Sequence, residues 1–411
     1  METQKTQRMT KKEKSWILYD VGNSAFVLLS TVLIPVYYNS LTTGSIVVEW
    51  GYTETIASLV IAIMMPILGS LADLRHNKKK FYLGFAGTGI VACAALGVPT
   101  QAAAFLAVYI VAAICLNSSM VFYDALLIDA TTEDRYDKIS SHGFAWGYIG
   151  SCIPFVACLV VVLFGENFGI DKALGMKIAF GITALWWLAF TIPLFKNVHQ
   201  MHFKERTAHI LKDAFFGLGT TLKNIVSNKS LLFFMLAFFF YIDGVHTVIR
   251  MATSFGLELG IDQTQLIFAL LVTQVVAFPS AIFYGTLSGK FGTRKMLMIA
   301  VLAYACIVAF AAFFLKTALQ FWILAICVGL FQGGIQALSR SYFGKLIPKE
   351  HSNEYFGFFD IFGKYAAVMG TFLVAFFTQI TGNPSMGILS LLIVFIAGFV
   401  FLLLMPKEEK A

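Results

Sequence analysis

The sequence predicts an all-α integral membrane protein with twelve transmembrane helices in two pseudo-symmetric six-helix bundles. Hydrophobic residues make up 58% of the 411-residue chain and charged residues 13%, against about 25% charged in an ordinary soluble domain. Apolar runs long enough to cross a hydrocarbon core of about 30 Å as helices recur along the whole length. A basic loop of the first half also recurs, in altered form, in the second half.

Twelve apolar runs are predicted to span the membrane as helices, because they lack the alternation of barrel strands and lipid-exposed backbone must satisfy its own hydrogen bonds. They cover roughly 16–38, 54–74, 82–99, 103–128, 143–164, 173–195, 230–255, 264–287, 296–315, 319–345, 355–378 and 386–405. The predicted organisation is a cytoplasmic tail at 1–15, a six-helix bundle at 16–195, a linker at 196–229, a second bundle at 230–405 and a cytoplasmic tail at 406–411.

The basic residues indicate an orientation. The polar start of the chain, Met1 to Lys14, has no signal-peptide pattern, and the predicted outer loops hold only Lys172 and Lys316 of the 30 Lys and Arg. The positive-inside rule therefore predicts cytoplasmic termini and a multi-pass protein of a bacterial-type inner or plasma membrane. We attribute the net charge of +7 to this topology and to anionic lipids, and we expect no nucleic-acid partner.

Several classes of site are disfavoured by the sequence. The six cysteines lie inside apolar spans without CxxC spacing, so we interpret them as buried apolar residues and expect neither a metal site nor a disulfide. The sequence contains no phosphate-binding loop and no nucleophile–base signature, which argues against a primary pump or a membrane enzyme. We therefore expect no cofactor.

The linker between spans six and seven contains an amphipathic pattern. Its predicted apolar face consists of Ile210, Leu211, Ala214, Phe215, Leu218, Leu222 and Ile225, with Lys212, Asp213 and Lys223 away from it. Such a helix is expected to lie along the inner membrane surface. A simple tether between the halves is the equally weighted alternative.

Two pairs of similar strings indicate an internal duplication. The string Gly69-Ser-Leu-Ala-Asp73 matches Gly285-Thr-Leu-Ser-Gly289 at an offset of 216 residues. Gly143-Phe-Ala-Trp and Gly357-Phe-Phe-Asp, which open spans five and eleven, are 214 residues apart. Two six-helix halves that enclose a central cavity are typical of a secondary transporter.

Three strings carry a family resemblance. The loop with Gly69, Asp73 and Lys79-Lys80 resembles the signature loop of the major facilitator superfamily. Trp16-Ile-Leu-Tyr-Asp-Val-Gly-Asn-Ser-Ala-Phe26, and Gln336–Pro348 followed by Tyr355–Lys364, resemble the branch that includes the autophagy-related vacuolar amino-acid effluxers. The resemblance covers nearly the full chain and implies the major facilitator fold and a transport role. Since the chain lacks the insertions of the vacuolar relatives, their substrate is not carried over.

The resemblance also implies a conformational latch. In that superfamily the acid at the position of Asp73 lies beside the start of span eleven, where a helix N-terminus carries partial positive charge. The basic residues of the loop, here Arg75 and Lys79, engage an acid at the inner end of span four, which corresponds to Asp129. Together with Gly69 they are expected to stabilise the outward-facing state. Gly289 replaces the acid in the second copy, which predicts a one-sided latch.

Charges inside the spans are candidate functional residues, because a charge at mid-bilayer costs at least about 2.5–3.5 kcal/mol. Near the inner side these are Asp20 and Asn23 on span one, with Ser24 on the same face, Asp124 on span four, with Asn117 on the same face, and Gln336 and Arg340 on span ten. Two carboxylates facing an arginine of the other half suit an inner gate that opens when protonation or substrate competes. The same groups could instead coordinate a zwitterionic substrate, and internal salt bridges that only fix packing are the third reading.

A second group of charges lies on span seven. Asp243, His246 and Arg250, spaced i, i+3 and i+7, place an acid, an imidazole and a base on one face. A carboxylate–histidine pair can titrate near neutral pH, so this group is the candidate for proton coupling. A capping cluster at the outer rim is the alternative. Asp360 and Lys364 on span eleven are interpreted as a structural pair.

The sequence thus predicts a monomeric secondary active transporter working by alternating access and coupled to protons. The expected cargo is a small organic solute, such as an amino acid or a related zwitterion, and the expected partners are that solute, protons and membrane lipids. An exporter of amphiphilic compounds is the alternative favoured by the 41 phenylalanines. A transport-inactive receptor or a lipid scramblase on the same scaffold is the third reading.

Overall fold

The computed structural model describes residues 8–205, 210–258 and 260–406, and these residues form helices joined by short loops. The parts of the predicted tails at 1–7 and 407–411, and residues 206–209 of the predicted linker, lie outside the described residues. The helices are α1 (Lys11–Asn39), α2 (Ile46–Ala72), α3 (Lys78–Ala95), α4 (Ala102–Ala125), α5 (Leu127–Ala130), α6 (Tyr136–Phe164), α7 (Lys172–Asn197), α8 (Ile210–Ser227), α9 (Lys229–Glu258), α10 (Gln263–Phe291), α11 (Thr293–Phe314), α12 (Ala318–Leu346), α13 (Ser352–Thr381), α14 (Pro384–Leu389) and α15 (Leu391–Leu404).

Within the described ranges, eleven helical segments are long and apolar enough to cross a bilayer. The remaining predicted span is α3, which has 18 residues and begins with three lysines, Lys78, Lys79 and Lys80. The last predicted span is built from α14 and α15, which meet at Ser390. The architecture is that of the predicted twelve-span, all-helical membrane protein.

Helix α1 extends beyond its predicted apolar run because a polar cap starts it. The first span was expected at residue 16, but α1 begins at Lys11 because Thr10 and Glu13 form a capping box. The backbone N–H of Thr10 donates to the Glu13 carboxylate at 2.7 Å, and the N–H of Glu13 donates to the Thr10 hydroxyl at 3.2 Å. These bonds satisfy backbone N–H groups that the first turn of a helix leaves unpaired, so the helix begins before the apolar run does.

Helix packing brings the two halves of the chain together along two lines. In the first half α1 packs on α6 and α7, and in the second half α9 packs on α13 and α15. Between the halves α6 packs on α10 and α12, and α2 packs on α13. The segments with the basic residues at 75–80, 135–138 and 345–349, which are helix ends and the loops beside them, lie at one end of this assembly, which we call the basic end.

Candidate functional site

Arg340 of α12 lies between the two halves and is held by two carboxylates of the first half. Its Nη2 is 3.3 Å from Oδ2 of Asp20 on α1, and its Nη1 is 2.9 Å from Oδ1 of Asp124 on α4. Arg340 is only 2% exposed. Since removal of one member of a buried ion pair leaves an uncompensated charge, this cluster ties α12 to α1 and α4. The structure therefore brings together three residues that sequence reasoning had grouped.

Three aromatic rings enclose the guanidinium group of Arg340. Its Cζ lies 4.6 Å from a ring centroid of Trp16, 5.4 Å from that of Tyr123 and 4.3 Å from that of Phe144. The Trp16 ring stacks on Tyr123, and the Tyr123 hydroxyl donates to Oδ2 of Asp20 at 2.8 Å. The ring faces attract the cation and keep water from the charges, which strengthens the ion pairs.

Helix α6 completes the cluster through Ser140 and Gly143. Nε of Arg340 donates to the Ser140 hydroxyl at 2.9 Å, and Nη2 donates to the Ser140 carbonyl oxygen at 3.0 Å. A Cβ atom at Gly143 would lie 2.6 Å from Oδ2 of Asp20, so a larger residue there would displace the carboxylate from Arg340. Sequence reasoning missed both roles. The repetition of Gly143 at Gly357 marked the position as unusual, but it did not show which helix lies opposite.

Asn23 and Gln336 lie next to the cluster without joining it. Asn23 is buried on α1, three residues after Asp20, and Gln336 is half-buried on α12, four residues before Arg340. Helical spacing places both on the faces that carry the charged residues. Within the described ranges neither side chain hydrogen-bonds to Arg340.

Asp243 on α9 is buried, and it contacts α13 and not the histidine of its own helix. The backbone N–H of Gly370 donates to its Oδ1 at 2.8 Å. His246 is half-buried and Arg250 is exposed. Among the described residues no hydrogen bond or ion pair joins Asp243 to either of them. The shared helix face predicted by spacing exists, but the carboxylate turns toward the neighbouring helix.

At the basic end, α2 meets the N-terminus of α13 through Asp73; we call this contact the first junction. Oδ1 of Asp73 accepts from the backbone N–H and the side-chain amide of Asn353, at 2.9 and 2.7 Å, and Oδ2 accepts from the N–H of Glu354 at 3.0 Å. The helix N-terminus offers unpaired N–H groups and partial positive charge to the acid. A Cβ at Gly69 would lie 2.6 Å from the Asn353 carbonyl oxygen, so glycine permits the contact.

Lys78 is the basic residue that engages Asp129 at this junction. Its Nζ lies 2.7 Å from Oδ2 of Asp129, and both side chains are fully buried. The same Nζ donates to the Ser352 hydroxyl of α13 at 2.8 Å, which joins the first half to the second. Burial opposes ionisation of Asp129, but Lys78 and the donors of His202 outweigh it and hold the pKa of the carboxyl below its ordinary value. The carboxylate is therefore charged at neutral pH.

Arg75 and Lys79, which the family resemblance implied as partners of Asp129, do not pair with it in the structure. Lys79 lies 4.6 Å from the ring centroid of Phe195, and the guanidinium carbon of Arg75 lies 5.1 Å from that of Phe203. Successive residues at a helix start point in directions about 100° apart, so only one of three consecutive lysines can face α5. The sequence indicated that a basic residue at the start of α3 would pair with Asp129, and the rotation of the helix determines that this residue is Lys78.

The repeated loop forms a second junction, where α10 meets the start of α6. Asp137 accepts from Nζ of Lys345 at 2.8 Å and from the hydroxyls of Ser341 and Thr293, each at 2.6 Å. Gly285 lies against this contact, as Gly69 does in the first junction. The expectation of a one-sided latch is thus wrong. Gly289 lacks the acid, but an ion pair at other positions holds the second side.

Comparison with known proteins assigns the family. Residues 32–411 match the family model described as "Vacuole effluxer Atg22 like". The chain belongs to this family. Over 98% of its length it is 44% identical to the Bacillus subtilis protein described as "Uncharacterized MFS-type transporter YxiO", of which 97% is covered. These findings confirm the resemblance inferred from the sequence and make the Atg22-like chain a major facilitator transporter.

More distant relatives agree with this assignment. The chain is 26% identical to autophagy-related protein 22 of Cryptococcus neoformans over 63% of its own length, and it spans about half of that fungal relative, 48%. Its fold resembles the crystal structures of the major facilitator transporter FucP in the outward conformation, with a TM-score of 0.73 at 13% identity, and of the human organic anion transporter MFSD10, with 0.74 at 12%. The alignments cover 95–96% of this chain and 98–99% of those chains.

The linker of this Atg22-like protein packs on the first junction. The backbone N–H of Lys204 donates to the Asp73 carbonyl oxygen at 2.8 Å, and the N–H groups of Met201 and His202 donate to Oδ1 of Asp129 at 2.8 and 2.9 Å. Glu354 of α13 accepts from Lys204 and from Thr221 of α8. The linker therefore binds both halves, a role that amphipathic spacing alone did not reveal.

The apolar face predicted for the linker is buried in the protein at one end only. Of its members with described side chains, Ile225 is 2% exposed, Leu218 is half-buried and Leu222 is 47% exposed. The side chains of residues 210–216 lie outside the description. Thr221, which was not assigned to that face, is buried because it reaches Glu354.

Proposed function

We propose that this transporter moves an amino acid or a related zwitterion across a bacterial-type plasma membrane by proton-coupled alternating access. The observation that carries the proposal is the buried cluster of Asp20, Asp124 and Arg340, whose ion pairs join the two halves. An ion pair that spans two moving bodies is a contact that a charged solute can replace. The multi-pass architecture and the family assignment support the transport role.

The placement of basic residues supports the proposed orientation. Lys78, Lys345 and the other residues of the basic end would face the cytoplasm together with both chain termini, in accord with the positive-inside rule. Both junctions and the Arg340 cluster then close the cytoplasmic side. In this proposal the structure corresponds to a state closed to the cytoplasm, and the cluster acts as the inner gate.

Opening of this gate requires new partners for three buried charges. If α12 moved away from α1 and α4, Arg340 and the two carboxylates would each lose a counter-charge, which is strongly destabilising in a buried site. Water, a proton on a carboxylate, or the ammonium and carboxylate groups of a zwitterion can compensate. Binding and opening would thereby be coupled.

Asp243 is our candidate for the proton-coupling group. It is buried, and within the described ranges no cation forms an ion pair with it. Burial of an unpaired charge is costly, and a carboxyl group can avoid that cost by taking up a proton. Its contact with Gly370 links protonation to the packing of α9 on α13. His246 and Arg250 would act on it at longer range.

Uptake into proteoliposomes tests the proposal. Labelled amino acids are offered with and without an inward proton gradient, and the expected result is saturable uptake that a proton ionophore abolishes. The Asp243→Asn variant should lose the pH dependence. Asp171→Asn is the matched control, because Asp171 only caps α7 by accepting from the N–H of Leu174, and asparagine caps equally well. Amino-acid uptake that ignores both pH and Asp243→Asn would refute the coupling.

The gate has its own test. In a background without the six native cysteines, a reporter cysteine replaces Gln336, one turn from Arg340. Arg340→Ala should increase its labelling by an impermeant thiol reagent added at the cytoplasmic side. Unchanged labelling would remove the gate, and lipid translocation without solute competition would favour the scramblase reading.

A further inference from the structure

Helix α13 carries an ion pair that does not join it to any other element. Nζ of Lys364 and Oδ2 of Asp360 form a salt bridge one helical turn apart, and the side chains are 20% and 23% exposed. At 1.5 Å per residue they lie about 12 and 18 Å from the start of the helix, well inside the membrane. Charges at this depth are costly unless they face protein or a water-filled cavity. Because both residues belong to α13, their salt bridge does not hold two helices together, and helix packing therefore does not explain why the charges lie inside the membrane.

Neighbouring residues show which way the pair points. Phe359 stacks on Phe238 of α9 with ring centroids 3.9 Å apart, so that face of α13 packs on its own half. Gly357 lies against the Met65 backbone of α2, so the adjacent face packs on the other half. Asp360 is three residues after Gly357, and α13 also packs on α4, the helix that carries Asp124. The pair therefore faces the interior between the halves.

Asp124 presents a matching group from the opposite side. One of its oxygens accepts from Arg340, yet its side chain remains 21% exposed, compared with 5% for Asp20. The interior between the halves thus holds one accessible carboxylate on α4, and one carboxylate and one ammonium group on α13. An ammonium group fits between two carboxylates, and a carboxylate fits against Lys364.

We propose that Asp360 and Lys364 form the second-half part of a binding site for the α-ammonium and α-carboxylate groups of an amino acid, opposite Asp124. This inference rests on the proposed transport function and names the residues that recognise the cargo. The substrate ammonium lies between Asp360 and Asp124, and the substrate carboxylate lies on Lys364. Because Asp124 also holds Arg340, a bound ammonium weakens the gate, which links recognition to opening.

A purely structural role for the pair makes a different prediction. If the pair only supported the helix, exchange of its two residues (Asp360→Lys together with Lys364→Asp) would keep an i, i+4 pair and restore wild-type behaviour. If the pair recognises cargo, the exchange places a cation against Asp124 and an anion where the substrate carboxylate lies. The exchanged protein would then fold normally and bind poorly.

Thermal unfolding of the purified full-length protein in detergent, with each of the twenty L-amino acids, is the first measurement, since a ligand of the folded state raises stability. The amino acid with the largest shift is then compared with its amide, which lacks the carboxylate, and its deaminated acid, which lacks the ammonium. Lys364→Gln and Asp360→Asn are measured beside two controls, Lys177→Gln at an exposed position of α7 and Asp171→Asn.

We expect at least a tenfold loss of apparent affinity in Lys364→Gln, Asp360→Asn and the exchanged double variant, with no loss in the controls. Lys364→Gln should also bind the amino acid no better than its amide, because the group that recognises the carboxylate is gone. Asp360→Asn should bind the amino acid no better than the deaminated acid, because the group that recognises the ammonium is gone. Wild-type affinity and selectivity in these variants would overturn the inference and leave the transport proposal intact. Failure of the wild-type protein both to bind and to transport any amino acid would instead overturn the proposed function itself.

Discussion

The two junctions at the basic end occupy equivalent places in the repeated halves, but different charges hold them. In the first junction Asp73 accepts from the start of α13, and the Lys78–Asp129 pair is fully buried. In the second junction Gly289 takes the place of the acid, and Lys345 and Asp137 remain 24% and 9% exposed. The duplication has kept the helix contact and its glycine while the charges have moved.

The offset of 216 residues between the repeated halves shows which positions carry the charges in each half. Asp129 corresponds to Lys345. Asn353 corresponds to Asp137, because a Cβ at Gly69 would meet the Asn353 carbonyl oxygen and one at Gly285 would meet that of Asp137. The acid at the end of α5 is therefore replaced by a base at the end of α12, and the acid reappears at the start of α6. The same offset relates Asp124 to Arg340, the oppositely charged members of the central cluster. Asp124 and Arg340 meet directly across the interface, whereas Asp129 pairs with Lys78 and Lys345 pairs with Asp137.

The largest effect is expected from Lys78→Met, which breaks the buried pair of the first junction. Asp129 would remain a buried charge without its cation, and loss of one partner of such a pair costs about 3–5 kcal/mol. The free energy of unfolding in mixed detergent micelles would fall accordingly. Lys79→Met is the control and should cost less than about 1 kcal/mol, since Lys79 only lies near a ring. Equal losses would show that Lys78 has no special role.

A smaller effect is expected from Asp73→Asn. Asparagine keeps one acceptor oxygen for Asn353 but loses the charge that favours the α13 N-terminus, so we expect a loss of about 1–3 kcal/mol. The measurement is labelling of a single reporter cysteine that replaces Ser70, a residue of similar size buried on α2 next to the junction, by a reagent added at the basic end. Faster labelling is expected; an unaltered rate would mean that the charge does not hold the helices together.

A smaller effect again is expected from Lys345→Met in the second junction. The pair is partly solvated, and Ser341 and Thr293 remain as donors to Asp137, so we expect about 1–2 kcal/mol. Unfolding in the same micelles checks this, and increased salt should reduce the difference from wild type. A loss as large as that of Lys78→Met would contradict the ranking of the junctions by burial.

The smallest effect is expected from Gly289→Asp, which restores the acid of the first copy. No atom lies within 4 Å of the position of its Cβ, and the site is exposed. Surface substitutions of this kind usually stay within about 0.5 kcal/mol. Stabilisation beyond that range would indicate that an acid at this position can reach the start of α6, which would restore the symmetry of the junctions.

Much of the site could be predicted from the sequence, because charged residues are rare inside membrane spans and those that occur there are candidate functional residues. Asp20, Asp124 and Arg340 stood out in apolar runs, and helical spacing placed each on a defined face. Asp73 was marked by the repeated loop, and its contact with the start of α13 was implied by the family resemblance. Trp16 and Tyr123 were not conspicuous, since aromatic residues are common throughout this chain.

The sequence by itself determined the class of the protein, the number of spans and the duplication, since apolar length and charge placement are local properties that a bilayer selects directly. Only the tertiary structure decided which of three adjacent lysines meets Asp129, that Asp243 turns to Gly370, and that the second junction has its own ion pair. Each of these choices depends on helix rotation and on the distance between helices far apart in the chain. A one-residue change in register moves a side chain by about 100° around the helix, so the partner of each charge is settled only when the helices pack.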